Sequence, residues 1–116
     1  MRGLFDKNAP YGLARYLVGH VVSKAEDCGW GRLENGDLRL ASELAGFQVL
    51  LTSDKNLRYQ QNLTGRKIAI VVLGHSPWPL VRLHIPEIVA AVDAATVASY
   101  VEVDIPLPPK KPFERS

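Results

Sequence analysis

The sequence predicts an α/β protein: a small three-layer α/β/α domain built on a mostly parallel sheet. Three observations predict it. Short apolar segments of strand length alternate with segments of helical spacing. Two of the strand segments, Phe47 to Thr52 and Lys67 to Leu73, are apolar at nearly every position, as expected of strands covered on both faces. Between the elements stand Gly, Asn and Pro, the residues of turns and helix ends.

In order along the chain, residues 2–6 read as a first strand ending at Asp6. Asn8 offers a helix cap and Pro10 suits a first helical turn. Leu13, Tyr16 and Leu17 follow at helical spacing, with Gly19 as the stop. His20 to Ser23 reads as a second strand. Residues 24–36, with Gly29, Trp30, Gly31, Asn35 and Gly36, read as loop. Asp37 opens a helix whose apolar face is Leu38, Ala41, Leu44 and Ala45, closed by Gly46. The third and fourth strands are the two apolar runs. Pro86 to about Ser99 is a helix carried by Ile88, Val89, Val92 and Ala95, and Tyr100 to Ile105 is a final edge strand. Residues 1–105 form the domain. In residues 106–116, Pro106, Pro108, Pro109 and Pro112 with Lys110 and Lys111 exclude helix and central strand and leave an extended tail.

Composition bounds the function classes. The chain has 116 residues, one domain's worth, and 47% of them are hydrophobic, too many for a disordered chain. The formal charge of +2 permits a nucleic-acid substrate without demanding one. The longest dense apolar run, Ile68 to Leu73, falls far short of the roughly 20 residues of a membrane span. The short charged start, Met1 to Asp6, lacks a signal-peptide core. Cys28 is the only cysteine, which excludes an intrachain disulfide. These features fit a cytoplasmic protein. No GxxxxGK[ST] or GxGxxG loop is present, and His20, His75 and His84 have no zinc-ligand spacing.

In a parallel sheet the functional crevice lies beyond the C-terminal strand ends, near a reversal of strand order. Two strands end in the same triplet: Asp6-Lys7-Asn8 and Asp54-Lys55-Asn56. Either alone is explained by turn and capping chemistry. Both together, at matching strand ends, point to two carboxylates facing one crevice, an arrangement that is costly unless a cation neutralises them. Hard oxygen ligands suit Mg²⁺ or Mn²⁺. Asp37, at a helix start on the same edge, is the third acid, and a dipole-favoured capping aspartate is the competing explanation there. Asn56, Arg58, Gln60 and Gln61 after Asp54, together with Asn8 and Lys55, are candidates for holding sugar and phosphate, and an exposed turn accounts for them equally well. Trp30 and Trp78 offer stacking surfaces, although core packing is the commoner fate of a tryptophan. The helix from Ile88 to Ala95 has small residues suited to packing on its own sheet or on a dimer mate.

The stretch Leu4-Phe5-Asp6-Lys7-Asn8-Ala9-Pro10, with Leu13 and Leu17, resembles the opening of PIN-like domains, where the first strand ends in an Asp. Asn35-Gly36-Asp37-Leu38, with Ala41, Gly46-Phe47 and Val49 through Leu57, resembles the second half of that signature, in which an Asp opens a helix and the next strand ends in Thr-x-Asp. The sequence is similar over about residues 2–75 to a short PIN-like family related to the VapC-type toxins. The resemblance implies Mg²⁺-dependent cleavage of RNA, with Asp6, Asp37 and Asp54 as acidic ligands, and a cognate antitoxin as partner. The sequence departs from the pattern at the fourth acid, commonly a Glu on an earlier helix: Glu26 is best placed, and Asp27 next. Three readings follow: a ribonuclease toxin, a PIN-like module that binds RNA or a partner without cutting, and a receiver-like switch. The last needs a lysine on a later strand, and Lys67 starts its strand instead of ending it.

Overall fold

A computed structural model describes residues 1–33, 35–53, 67–74 and 77–105. Five strands form one sheet in which every neighbouring pair is parallel: β1 (Arg2–Phe5), β2 (Val21–Lys24), β3 (Val49–Thr52), β4 (Ala69–Val72) and β5 (Tyr100–Glu102), in the order β2-β1-β3-β4-β5. The α-helices are α1 (Asn35–Leu44), α2 (Trp78–Val81) and α3 (Ile85–Asp93), with 3₁₀ turns at Tyr11–Tyr16, Glu26–Cys28 and Arg82–His84.

Two apolar clusters follow from the two-residue period of the strands, which sends alternate side chains to opposite faces. Phe5, Val49, Leu51, Ala69 and Val71 face one side, where they meet Leu13 and Leu17, Val81, and Ile88 and Val92 of α3. Leu4, Leu50, Ile70 and Val72 face the other, where they meet Ala25, Leu38 of α1 and Phe47. All four residues of β3 and of β4 are buried, as expected of a sheet covered on both sides. Trp30 meets Phe47 edge-on at 6.0 Å and belongs to the second cluster, as does the half-buried thiol of Cys28. The packing fate therefore holds for Trp30. α3 packs on its own sheet through Ile88 and Val92, with Val89, Ala91 and Ala95 alongside.

Several elements differ from the sequence reading. The first helix is a 3₁₀ segment, closed by i→i+3 bonds such as Leu13 N–H to Pro10 O (3.1 Å) and Leu17 N–H to Ala14 O (3.2 Å). Its N-cap position is Pro10, in extended backbone, and Asn8 makes no cap. Asn8 is engaged in a turn with Asp6 instead, and Gly12 inside the first turn removes helix propensity. α1 begins two residues before Asp37. Leu44 is 80% exposed and Ala45 is exposed. The buried stripe runs through Leu38 and Ser42, whose hydroxyl donates to Leu38 O (2.6 Å). The C-terminal helix starts as read, with Pro86 in the first turn of α3, but ends at Asp93, short of Ser99; α2 and the 3₁₀ turn Arg82–His84 precede it and were not read from the sequence. β5 spans only Tyr100–Glu102, although Val103 and Ile105 continue into the core.

α1 ends in a left-handed Gly46 (φ 90°), where a Cβ would stand 3.0 Å from Arg2 Nη1. That guanidinium donates to Ala45 O (2.9 Å) and covers the Phe47 ring, so glycine satisfies both the reversal and the close approach. Among the described residues, no helix is long and apolar enough to cross a membrane.

Candidate functional site

The order β2-β1-β3-β4-β5 reverses between β1 and β3: the chain leaves β1 towards β2 on one side and later towards β3, β4 and β5 on the other. Ligands of doubly wound sheets bind at this switch point, outside the carboxyl ends of the strands. Asp6 stands there. Its backbone N–H continues the ladder to Leu51 O (2.9 Å), so the residue is fixed as the last position paired with β3. Its half-buried carboxylate accepts two bonds: Oδ1 from Asn8 N–H (3.2 Å) and Oδ2 from the Thr52 hydroxyl (2.8 Å).

A second hydroxyl completes the crossing. Ser53 Oγ–H donates to Asn8 O (2.8 Å), while Ala9 N–H closes the turn onto Asp6 O (2.9 Å). Thr52 and Ser53 are 3% and 2% exposed, so both hydroxyls sit where an unpaired polar group costs ~1–3 kcal/mol. Two side-chain bonds, both donated from the exit of β3, thus lock it to the exit of β1. Asp54 is the next residue in the chain. It lies outside the described residues, as do Lys55, Asn56, Arg58, Gln60 and Gln61.

The other acids distribute along the same edge. Ala25 N–H donates to Phe5 O (2.9 Å), which carries β2 pairing up to the level of Asp6 and places the 3₁₀ turn of Glu26 and Asp27 at the same sheet edge. Both side chains are exposed. Asp37 lies exposed in the first turn of α1. Its place is set by the far end of that helix, where Glu43 is bonded to the start of β4. α1 therefore runs against the strands and its first turn points to their C-terminal edge. Among the described residues, no three Asp, Glu, His or Cys side chains gather closely enough to hold a metal ion, so Asp6, Glu26 and Asp37 share an edge without forming a cluster by themselves.

Glu43 does structural work at the opposite edge. Its Oε2 accepts from Lys67 N–H (2.7 Å) and Ile68 N–H (3.0 Å), and Oε1 pairs with Arg39 at 3.3 Å. Burial pushes its pKa up. The two backbone N–H groups and the Arg39 guanidinium outweigh that and hold the carboxyl below its ordinary 4.5. A cavity of about 530 Å³ opens at this edge, lined by Glu43, Phe47, Gln48, Lys67 and Val97 among others. It is mostly apolar and faces the strand starts, away from the switch point.

His20 is held between the N-terminal amine (3.3 Å) and Asp93 Oδ1 (2.6 Å), which ties the start of β2 to α3. His84 bonds Glu87 at 2.7 Å and holds that carboxyl below its usual range. Sequence reasoning missed the roles of Thr52, Ser53 and Glu43. For the first two a signal was present, in two hydroxyl residues closing an otherwise apolar strand immediately before an aspartate.

Fold and site together define a doubly wound parallel α/β protein with an aspartate anchored at its switch point. Comparison with protein-family models, with curated proteins and with solved structures gives no match.

Proposed function

We propose that the chain is a PIN-like ribonuclease that hydrolyses RNA phosphodiester bonds with Mg²⁺ or Mn²⁺. One observation carries this reading. Asp6, at the β1/β3 switch point, is tied through Thr52 and Ser53 to the strand exit that Asp54 directly follows. Asp6 and Asp54 would then serve as metal ligands, with Asp37 and Glu26 reaching in from the same edge. The metal would lower the pKa of a bound water and steady charge on the phosphate. The carboxylates orient water and substrate and form no covalent intermediate. Asn8, exposed on the turn beside Asp6, and Lys55, Asn56, Arg58, Gln60 and Gln61 beyond Asp54, are the proposed substrate contacts. A cognate antitoxin and a homodimer are the proposed protein partners, and the cytoplasm the proposed compartment.

A receiver-like switch has less support. Lys67 lies just before β4, at the strand-start edge, where its N–H bonds Glu43. A module that binds RNA or a partner without cutting is favoured by a groove of two arginines and two aromatic rings, which needs no metal.

The test is a Mn²⁺ titration of the wild type, Asp6→Asn and Asp54→Asn by calorimetry. The expected result is binding by the wild type and at least tenfold weaker binding by each variant. Equal binding by all three, or none by a folded wild type, would remove the metal site.

A further inference from the structure

On the sheet face that buries Phe5, Leu51 and Val71, the 3₁₀ helix Tyr11–Tyr16 and α2 lie side by side, and a groove of about 370 Å³ opens between them. Gly12, Arg15, Tyr16, Trp78 and Arg82 line it. Both guanidiniums are exposed, and neither has an ion-pair or hydrogen-bond partner among the described residues. Among the described residues, no carboxylate lines the groove. Tyr16 is 39% exposed and Trp78 half-buried.

The indole packs close to the 3₁₀ backbone where Gly12 leaves room for it. A Cβ on Gly12 would stand 3.0 Å from both Cζ2 and Cη2 of Trp78, closer than such contacts normally run. Trp78 thus packs against the core with part of its surface open. Guanidiniums supply planar donor forks for phosphate, and aromatic rings supply surfaces on which any base stacks. An acidic peptide would satisfy the arginines and leave the two rings without use.

We propose that this groove binds single-stranded nucleic acid, with Arg15 and Arg82 on phosphates and Tyr16 and Trp78 stacking bases. The groove uses neither Asp6 nor a metal ion, so this binding stands or falls separately from the nuclease reading.

The experiment is fluorescence anisotropy of a labelled oligouridylate of about twelve nucleotides, with the full chain, in EDTA, over about 50–200 mM salt. The same titration is run with oligothymidylate and with an oligoglutamate of equal charge. The wild type is expected to bind both oligonucleotides, and Leu44→Ala, an exposed position on the helix covering the opposite sheet face, to match it. Arg15→Ala/Arg82→Ala should weaken binding at least tenfold and flatten the plot of log affinity against log salt by about 1.4, two contacts at about 0.7 each. Tyr16→Leu should weaken binding about tenfold with the salt slope kept, since stacking is not ionic. Cleavage failing while this binding persists would support the groove and remove the nuclease reading. The proposal is overturned if the double arginine variant, folded by circular dichroism, keeps wild-type affinity and slope. Equal affinity for the oligoglutamate, which would make the groove a docking site for acidic protein, overturns it too.

Discussion

Replacing Glu43 by alanine strips two backbone N–H groups at the start of β4 of a charged acceptor. The distances, 2.7 Å from Lys67 and 3.0 Å from Ile68, are those of full hydrogen bonds. A bond to a charged group contributes about 1.5–3 kcal/mol. Lys67 is exposed, so water replaces its partner and its share falls at the low end. Ile68 is 1% exposed, so its share falls higher. The Arg39 pair, with both side chains largely covered, adds about 0.5 kcal/mol. The total is about 4 kcal/mol. With an unfolding entropy of roughly 0.24 kcal/mol/K for a chain of this length, Tm should fall by about 16 °C. Glu43→Gln keeps an acceptor and loses the charge, and should cost about 1–1.5 kcal/mol at neutral pH. The pH dependence separates the charge from the shape. The folded carboxyl lies below its ordinary 4.5. Its contribution is therefore complete above the unfolded value and is lost as pH falls through the folded one. The gap between wild type and Glu43→Gln, followed by thermal melts from about pH 6 to pH 3, should narrow as acid is added. An alanine variant that melts within about 1 °C of wild type, or a gap constant across that range, would show that Glu43 does not hold the start of β4.

Thr52→Val preserves shape and removes the donor to Asp6 Oδ2. It should cost about 1–2 kcal/mol, seen as a Tm lower by about 4–8 °C, and a double-mutant cycle with Asp6→Asn should show the two losses to be coupled. Leu38→Ala should cost about 2–4 kcal/mol in urea unfolding, while Leu44→Ala, on the same helix and 80% exposed, should stay within about 0.5 kcal/mol of wild type. Gly12→Ala should shift the near-ultraviolet and fluorescence signals of Trp78 with little change in melting, since its Cβ meets the far edge of one ring.

The fold was legible where local pattern and burial agree. β3 and β4 are apolar runs bounded by turn residues, and their full burial is what a sheet covered on both sides requires. The end of β1 at Asp6 was equally legible, because the aspartate is the first polar residue after Leu4-Phe5. The outward turn of Leu44 was not. Helical spacing sees only apolar positions, and the buried stripe of α1 includes Ser42, a polar residue satisfied by the preceding turn. The 3₁₀ form of Tyr11–Tyr16 goes with Trp78 lying against Gly12, a contact that is not local to that segment. Glu43 finds its partners 24 and 25 positions away, across the sheet edge. The groove assembles from residues on two elements that only the packed sheet brings together, so neither Arg15 nor Arg82 was distinguished in sequence from a solvated arginine.

The measurement that bears most directly on the proposed function is cleavage of a mixed-sequence, end-labelled RNA with Mg²⁺ or Mn²⁺ and with EDTA. It compares wild type, Asp6→Asn and Asp54→Asn, with Thr52→Val as a partial lesion. The expected result is metal-dependent cutting by the wild type, a loss of at least about a hundredfold in both aspartate variants, and an intermediate loss in Thr52→Val. Cutting that persists in EDTA or in a folded Asp6→Asn, or no cutting by a folded wild type, would contradict it.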